Sequence, residues 1–150
     1  MKKLIFILLL PLFLSAQAPL ETAYLNDWQY NLDEAFKLAE KSDKNVLVYF
    51  TGSDWCPPCK MLKKDLFETI EFTDVSKNYV IVYVDMPRNQ NLLTPEQMKH
   101  NKGVVATYNK KGVFPLLKIL SNKGKTLDEY SGYAMNGDIR HHLRLLRKHE

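Results

Sequence analysis

Val46-Leu47-Val48-Tyr49-Phe50-Thr51-Gly52-Ser53-Asp54-Trp55-Cys56-Pro57-Pro58-Cys59-Lys60 is the stretch on which the fold turns. Its first part is short, β-branched, aromatic and almost wholly apolar, as expected of a strand buried on both faces. Gly52, Ser53 and Asp54 make a turn that delivers Trp55 and Cys56. Pro57 suits the first turn of a helix, where its missing N–H would be unsatisfied anyway. The apolar spacing predicts that helix from Pro57 to about Thr69, with Met61, Leu62, Leu66 and Phe67 on its buried face.

Working outward, Asn31 can cap a helix from Leu32 to about Lys41 that buries Leu32, Ala35, Phe36 and Ala39. Downstream, a short helical turn near Thr73–Lys77 precedes a second strand, Val80–Asp85. A loop rich in Pro, Arg, Asn and Gln follows. Thr94-Pro95-Glu96-Gln97 reads as a capping box that opens a helix to about Asn109. Leu116–Leu120 forms a third strand, and Asn122-Lys123-Gly124-Lys125 turns the chain into a fourth, Thr126–Ser131. The last helix is expected from about Asn136 to Lys148, with Ile139, Leu143 and Leu146 inward. This order predicts an α/β fold with a small central mixed sheet flanked by helices on both faces. Strands separated by helices favour parallel pairing, and the terminal hairpin must be antiparallel.

The 150 residues suggest one domain, large enough to bury a core without disulfide staples or a structural metal. The start of the chain differs in character from the rest. Lys2 and Lys3 precede an apolar run from Leu4 to Leu14 broken only by Pro11, and Ser15, Ala16, Gln17 and Ala18 follow. That is the order of a secretory signal peptide over residues 1–16, with cleavage as late as 18 as an option. The run is well short of the roughly 20 residues that span a bilayer; an uncleaved anchor or a buried helix is the alternative. Residues 17–30 form a lead-in and 31–150 the domain. Loss of Lys2 and Lys3 lowers the formal charge from +4 to about +2, 19 basic against 17 acidic residues, too little to imply a nucleic-acid partner. Export implies a periplasmic or otherwise extracytoplasmic location, where a cysteine pair meets an oxidising environment.

Cys56 and Cys59 sit three positions apart at a helix start. Unpaired N–H groups and the helix dipole favour negative charge there, so the first thiol can fall from about 8.5 towards about 7. Thiolate then rises from about 3% to about half at neutral pH, while intrinsic nucleophilicity falls about fivefold, leaving a net gain of a few-fold. Three other readings compete. A static bridge would close a loop too small to gain much unfolded-state entropy. A zinc or copper site would need two further ligands, for which His100, His141, His142 and His149 show no fixed spacing. A redox-inert binding module could use the same fold. The basic end of the chain, with Arg140, Arg144, Arg147 and Lys148, is a solvated face or a dock for an acidic partner.

Trp55-Cys56-Pro57-Pro58-Cys59-Lys60, with Val46–Phe50 before it and Val82-Tyr83-Val84-Asp85 and Gly112-Val113-Phe114-Pro115 after it, resembles the thioredoxin superfamily. The likeness covers nearly all of the chain beyond the leader, most closely the small exported members with Gly-Ser-Asp-Trp-Cys ahead of the pair. It implies a thiol–disulfide oxidoreductase with no cofactor and no metal, Cys56 as nucleophile and Cys59 as resolving thiol. It also implies that Pro115 is a cis-proline at the substrate strand, and that Trp55, Pro57 and Phe114 border a substrate groove. Protein disulfides or thiols are the implied substrates, a membrane electron donor the implied partner, and a monomer the expected state. Two features qualify the likeness. The buried acid of thioredoxins proper falls at Tyr49 or Phe50, so a proton from Cys59 would need water, Asp54 or Tyr49. Pro58 stands where strongly oxidising relatives usually carry histidine, which favours reduction or reshuffling, with isomerase or mild oxidase as alternatives.

Overall fold

Residues Asn45–Thr51 form β1, and every one of them after the first is buried. A strand with no wet face needs neighbours on both edges and layers on both sides. The computed structural model, which describes residues 28–150, supplies them. The expected leader and most of the lead-in lie outside the described residues. On one edge β2 (Tyr79–Asp85) runs parallel to β1, from Asn45 opposite Tyr79 to Thr51 opposite Asp85. On the other edge lies β3 (Leu116–Leu120), with β4 (Thr126–Ser131) beyond it, giving the order β2-β1-β3-β4.

One pairing departs from expectation. A helix precedes β3, yet β3 is antiparallel to β1, with Phe50 opposite Leu116 and Val46 opposite Leu120. The chain therefore re-enters the sheet beside the end at which β1 leaves it, and only an antiparallel ladder fits that entry. The hairpin to β4 is antiparallel as its turn requires.

Alternation along β1 divides the core. Leu47 and Tyr49 face one side with Trp28, Leu62, Leu66, Phe67, Phe72 and Leu146. Val46, Val48 and Phe50 face the other with Leu32, Ala35, Ala39 and Val104. The second layer holds α1 (Leu32–Ser42) and the helix Pro95–Tyr108. The first layer holds α2 (Pro57–Leu62), α3 (Ile70–Ser76) and the C-terminal helix. In chain order, Pro95–Tyr108 is α4 and Arg140–Lys148 is α5.

Local chemistry sets the helix ends. The Asn31 side chain accepts from the N–H groups of Asp33 and Glu34 and starts α1. Thr94 likewise accepts from Gln97 N–H, but only half of the expected capping box forms. The Gln97 amide donates instead to Tyr30 C=O and to Asn101 Oδ1. The helix expected to run from Pro57 to Thr69 passes at Lys63–Phe67 into a π-turn. Its wider winding lets Leu62, Leu66 and Phe67 all face the core, while Met61 is exposed, contrary to its expected burial. The last helix begins at Arg140 rather than Asn136, because Gly137 (φ 77°) and Met135 (φ 57°) occupy the left-handed region, which a right-handed helix excludes. Ahead of α1, Gln29 joins the outer edge of β2: its N–H donates to Ile81 C=O, and Tyr83 N–H donates to its carbonyl. Trp28 is thereby placed in the core, edge-on to Phe67 at 5.1 Å between ring centroids.

Candidate active site

β1 ends at Thr51, and the turn that follows is fixed from beneath. Met86 N–H donates to Thr51 C=O at 2.9 Å. Asp85, buried at the end of β2, accepts from Ser53 N–H at 2.8 Å and from the Ser53 hydroxyl at 2.5 Å. Cys56 N–H donates back to Gly52 C=O at 2.9 Å, which closes the turn. Gly52 is needed because an added Cβ would lie 2.3 Å from the Trp55 ring.

Cys56 is the N-cap of α2, with Pro57 and Pro58 in its first turn. The Cys56 sulfur accepts from Cys59 N–H at 3.3 Å, and the Cys56 carbonyl accepts from Cys59 and Lys60 N–H at 3.1 Å. The two cysteines are joined in a disulfide with Cα atoms 5.3 Å apart, and both are almost wholly out of solvent. Pro57 and Pro58 have no N–H to offer, so the Cys56 sulfur faces one, that of Cys59; this bond and the dipole of a helix with no acidic residue in its first turn favour thiolate once the disulfide is reduced.

Beneath the pair, the Tyr49 hydroxyl donates to Cys59 C=O at 3.1 Å. Burial pushes its phenol well above the ordinary value, with the Asp85 charge adding to the rise against an opposing effect of Thr51. Tyr49 is thus a donor that stays protonated. Asp54, the other protein group considered for proton transfer, is committed elsewhere. Its carboxylate accepts from Asn89 N–H at 2.8 Å and Arg88 N–H at 3.0 Å, and these bonds, that to Asn89 first, hold it below the usual carboxylate range.

The remaining expected groups gather around Trp55. Its Nε1–H donates to Met86 C=O at 2.8 Å. Phe114 meets its ring edge-on at 5.6 Å between centroids, and the Arg88 guanidinium lies over it, 4.8 Å from the centroid. A cation–π contact of this exposed kind stabilises by about 0.5–1 kcal/mol. The Phe114–Pro115 peptide bond is cis and Pro115 is buried, while Pro57 is exposed on the first turn of α2. Lys60 Nζ donates to Asp54 C=O at 3.0 Å.

The histidines stand apart from this assembly. His100 Nε2 accepts from Leu32 N–H at the start of α1. His141 stacks on Tyr130, His142 is buried against Gly132 C=O, and His149 contacts Asp128. Among the described residues, no three His, Cys, Asp or Glu side chains come together to hold a metal ion. In the basic C-terminal helix, Arg140 pairs with Asp138 and Lys148 with Asp128, and Arg144 and Arg147 are exposed.

Sequence reasoning missed the clamp between Asp54 and the loop after β2, and it missed Arg88 altogether. The signal available was weak: a polar loop with a single arginine and no assigned role, and an acid one residue before Trp55. It also missed Tyr133, whose hydroxyl donates to Asp65 on the π-turn and accepts from Gly137 N–H, tying the loop after β4 to the helix that carries the cysteines.

Residues 32–147 match a family model described as a thioredoxin-like domain. Over 95 residues the chain is 32% identical to the disulfide bond reductase DsbH of Chlamydia pneumoniae, a match covering 63% of this chain and 56% of that protein. Over 85 residues it is 32% identical to the thioredoxin-related protein DsbJ of the same organism, covering 50% of this chain and 24% of that one. The chain thus spans about half the length of the first of these relatives and a quarter of the second. Among solved structures, a DsbH oxidoreductase aligns with a TM-score of 0.66 at 28% identity, over 88% of this chain and 93% of that one. A thioredoxin from Thermus thermophilus aligns with a TM-score of 0.56 at 20% identity, over 80% and 85% of the two chains, a likeness of fold alone.

Proposed function

The chain belongs to the thioredoxin-like family, and from that premise we propose that it is an extracytoplasmic thiol–disulfide oxidoreductase that reduces or exchanges protein disulfides through Cys56 and Cys59. The observation that carries this reading is the cysteine pair at the first turn of α2, with the Cys56 sulfur at the cap position facing an N–H. The family resemblance implies Cys56 as nucleophile and Cys59 as resolving thiol, and the cap position of the Cys56 sulfur supports that order.

The cycle begins with the reduced pair. The Cys56 thiolate attacks one sulfur of a substrate disulfide and expels the other as a thiolate, leaving a mixed disulfide. Cys59 loses its proton to water, since Tyr49 is held protonated and Asp54 is occupied by backbone N–H groups. The Cys59 thiolate attacks the Cys56 sulfur, releases the second substrate thiolate and restores the Cys56–Cys59 bond. Two electrons pass from the pair to the substrate, and a donor, proposed to be membrane-bound, returns them with one proton, which restores the Cys56 thiolate and the Cys59 thiol. Trp55, Pro57, Phe114 and Pro115 are proposed to line the path of the substrate. The leader pattern over residues 1–16 supports export, and the name of the DsbH relative supports the reducing direction.

Two experiments test this reading. Equilibration with glutathione should give a potential nearer about −270 mV than about −120 mV, the values of a reductant and a strong oxidant. Cys59→Ser should accumulate mixed disulfides with substrate and Cys56→Ser should not. Equal trapping by both variants would overturn the assignment of roles, and a dithiol that never exchanges would overturn the function.

A further inference from the structure

We propose that Arg88 is a specificity-determining residue, favouring substrate disulfides that carry an acidic side chain beside the attacked cysteine. This rests on the redox reading above and adds the chemistry of the partner. The loop after β2 is fixed to the active-site turn by three bonds: Asp54 accepts from Arg88 and Asn89 N–H, and Trp55 Nε1–H donates to Met86 C=O. The loop so held carries the Arg88 guanidinium over the ring of Trp55, the residue adjoining Cys56.

Among the described residues no carboxylate pairs with this guanidinium. The nearby acid, Asp54, spends its oxygens on backbone N–H groups, one of them Arg88's own. Lys60 adds a second exposed cation, and its Nζ donates to a backbone carbonyl rather than to an acid. Phe114 walls the Trp55 ring elsewhere. A chain docking beside Cys56 therefore meets an apolar wall with an exposed guanidinium fork next to it, paired with no carboxylate among the described residues. A carboxylate is the side chain whose geometry and charge complete that fork.

Three peptide disulfides, identical except for Glu, Ser or Lys beside the cysteine, test the proposal with the wild-type protein, Arg88→Lys and Arg88→Glu. The wild type should favour the Glu over the Lys peptide in kcat/KM by about fivefold at low salt, the upper range for one exposed ion pair. The preference should lie in KM and fade near 1 M salt, where charges are screened beyond about 3 Å. Arg88→Lys, which keeps the charge but not the fork, should keep only part of it, and Arg88→Glu should reverse it. Each ratio is taken within one variant, so a uniform loss of activity cancels. An equal ratio in wild type and Arg88→Glu, or one indifferent to salt, would overturn the proposal alone. No exchange with the Ser peptide in the wild type would overturn the redox reading, and the proposal with it.

Discussion

Replacing Tyr49 with Phe removes one oxygen atom from the densest part of the site and little else. The ring keeps its place against Phe67, 4.6 Å away between centroids, so no cavity opens in the core. What is lost is the bond from the hydroxyl to Cys59 C=O. That carbonyl also accepts from Lys63 N–H within the helix, so it is left with one partner rather than none. The cost should therefore be that of a single net hydrogen bond, about 1 kcal/mol. This is about a fivefold change in the unfolding constant and, for a domain of this size, about 4 °C in Tm. Denaturant melts of the oxidised and the reduced protein would measure it separately. If the bond serves both redox states equally, the costs cancel and the reduction potential stays put. If it serves one state only, 1 kcal/mol appears as about 20 mV in a two-electron couple. We expect equal costs, because the acceptor is a backbone carbonyl that carries no charge in either state. We also expect the pH profile of exchange to be unchanged, since burial keeps the phenol protonated. A variant that folds but exchanges more than tenfold more slowly, or that loses a limb of the pH profile, would show that Tyr49 moves protons and refute this account.

Gly52→Ala should destabilise by about 1–3 kcal/mol, because the new Cβ must displace the Trp55 ring from its bond to Met86; a shifted tryptophan emission would report the movement. Asp54→Ala should speed amide hydrogen exchange at Arg88 and Asn89 at least several-fold with little change in global melting, since those bonds hold an exposed loop. Burial lowers the His142 pKa, with His141 lowering it further and the Gly132 carbonyl and Asp138 opposing, so below about pH 6.5 the unfolded chain takes up a proton that the fold resists. Stability should fall as pH drops from 7.5 to 5.5, and His142→Gln should flatten that dependence. A further loss on acidification through the carboxylate range should come from Asp128, held low first by Lys148 and then by His149, and Asp128→Asn should remove it.

The parts of the fold that were legible in the sequence are those in which one local rule acts alone. The apolar run Val46–Thr51 has only one environment that suits it, and Asn31 and Thr94 sit where caps must sit. The first cysteine with Pro57 directly after it marks a helix start. The illegible parts depend on neighbours far along the chain. The direction of β3 is set by where α4 delivers it. Met61 is turned outward because the π-turn changes the winding after Leu62, which apolar spacing at an assumed α-helical period cannot foresee. Gln97 leaves its capping partner for Tyr30, 67 residues away. The active-site rim was half visible for the same reason: Trp55 and the cysteines announce themselves, whereas Arg88 matters only because Asp54, 34 residues earlier, reaches its backbone.

The bridge between Gln29 and β2 has a consequence for the company this protein can keep. A four-stranded sheet ends in two ladders of spare backbone donors and acceptors, each able to recruit a stranger's strand. On the β2 side Gln29 occupies two of those groups with the chain's own backbone. On the β4 side the rim is short and carries Asp128, Glu129 and a neighbouring Lys148. Under the proposed function, each mixed disulfide would bring a substrate's backbone close to these edges. With part of one rim paired and the other short and charged, a mixed disulfide of the proposed kind would tie a client by one sulfur without adding a strand to this sheet.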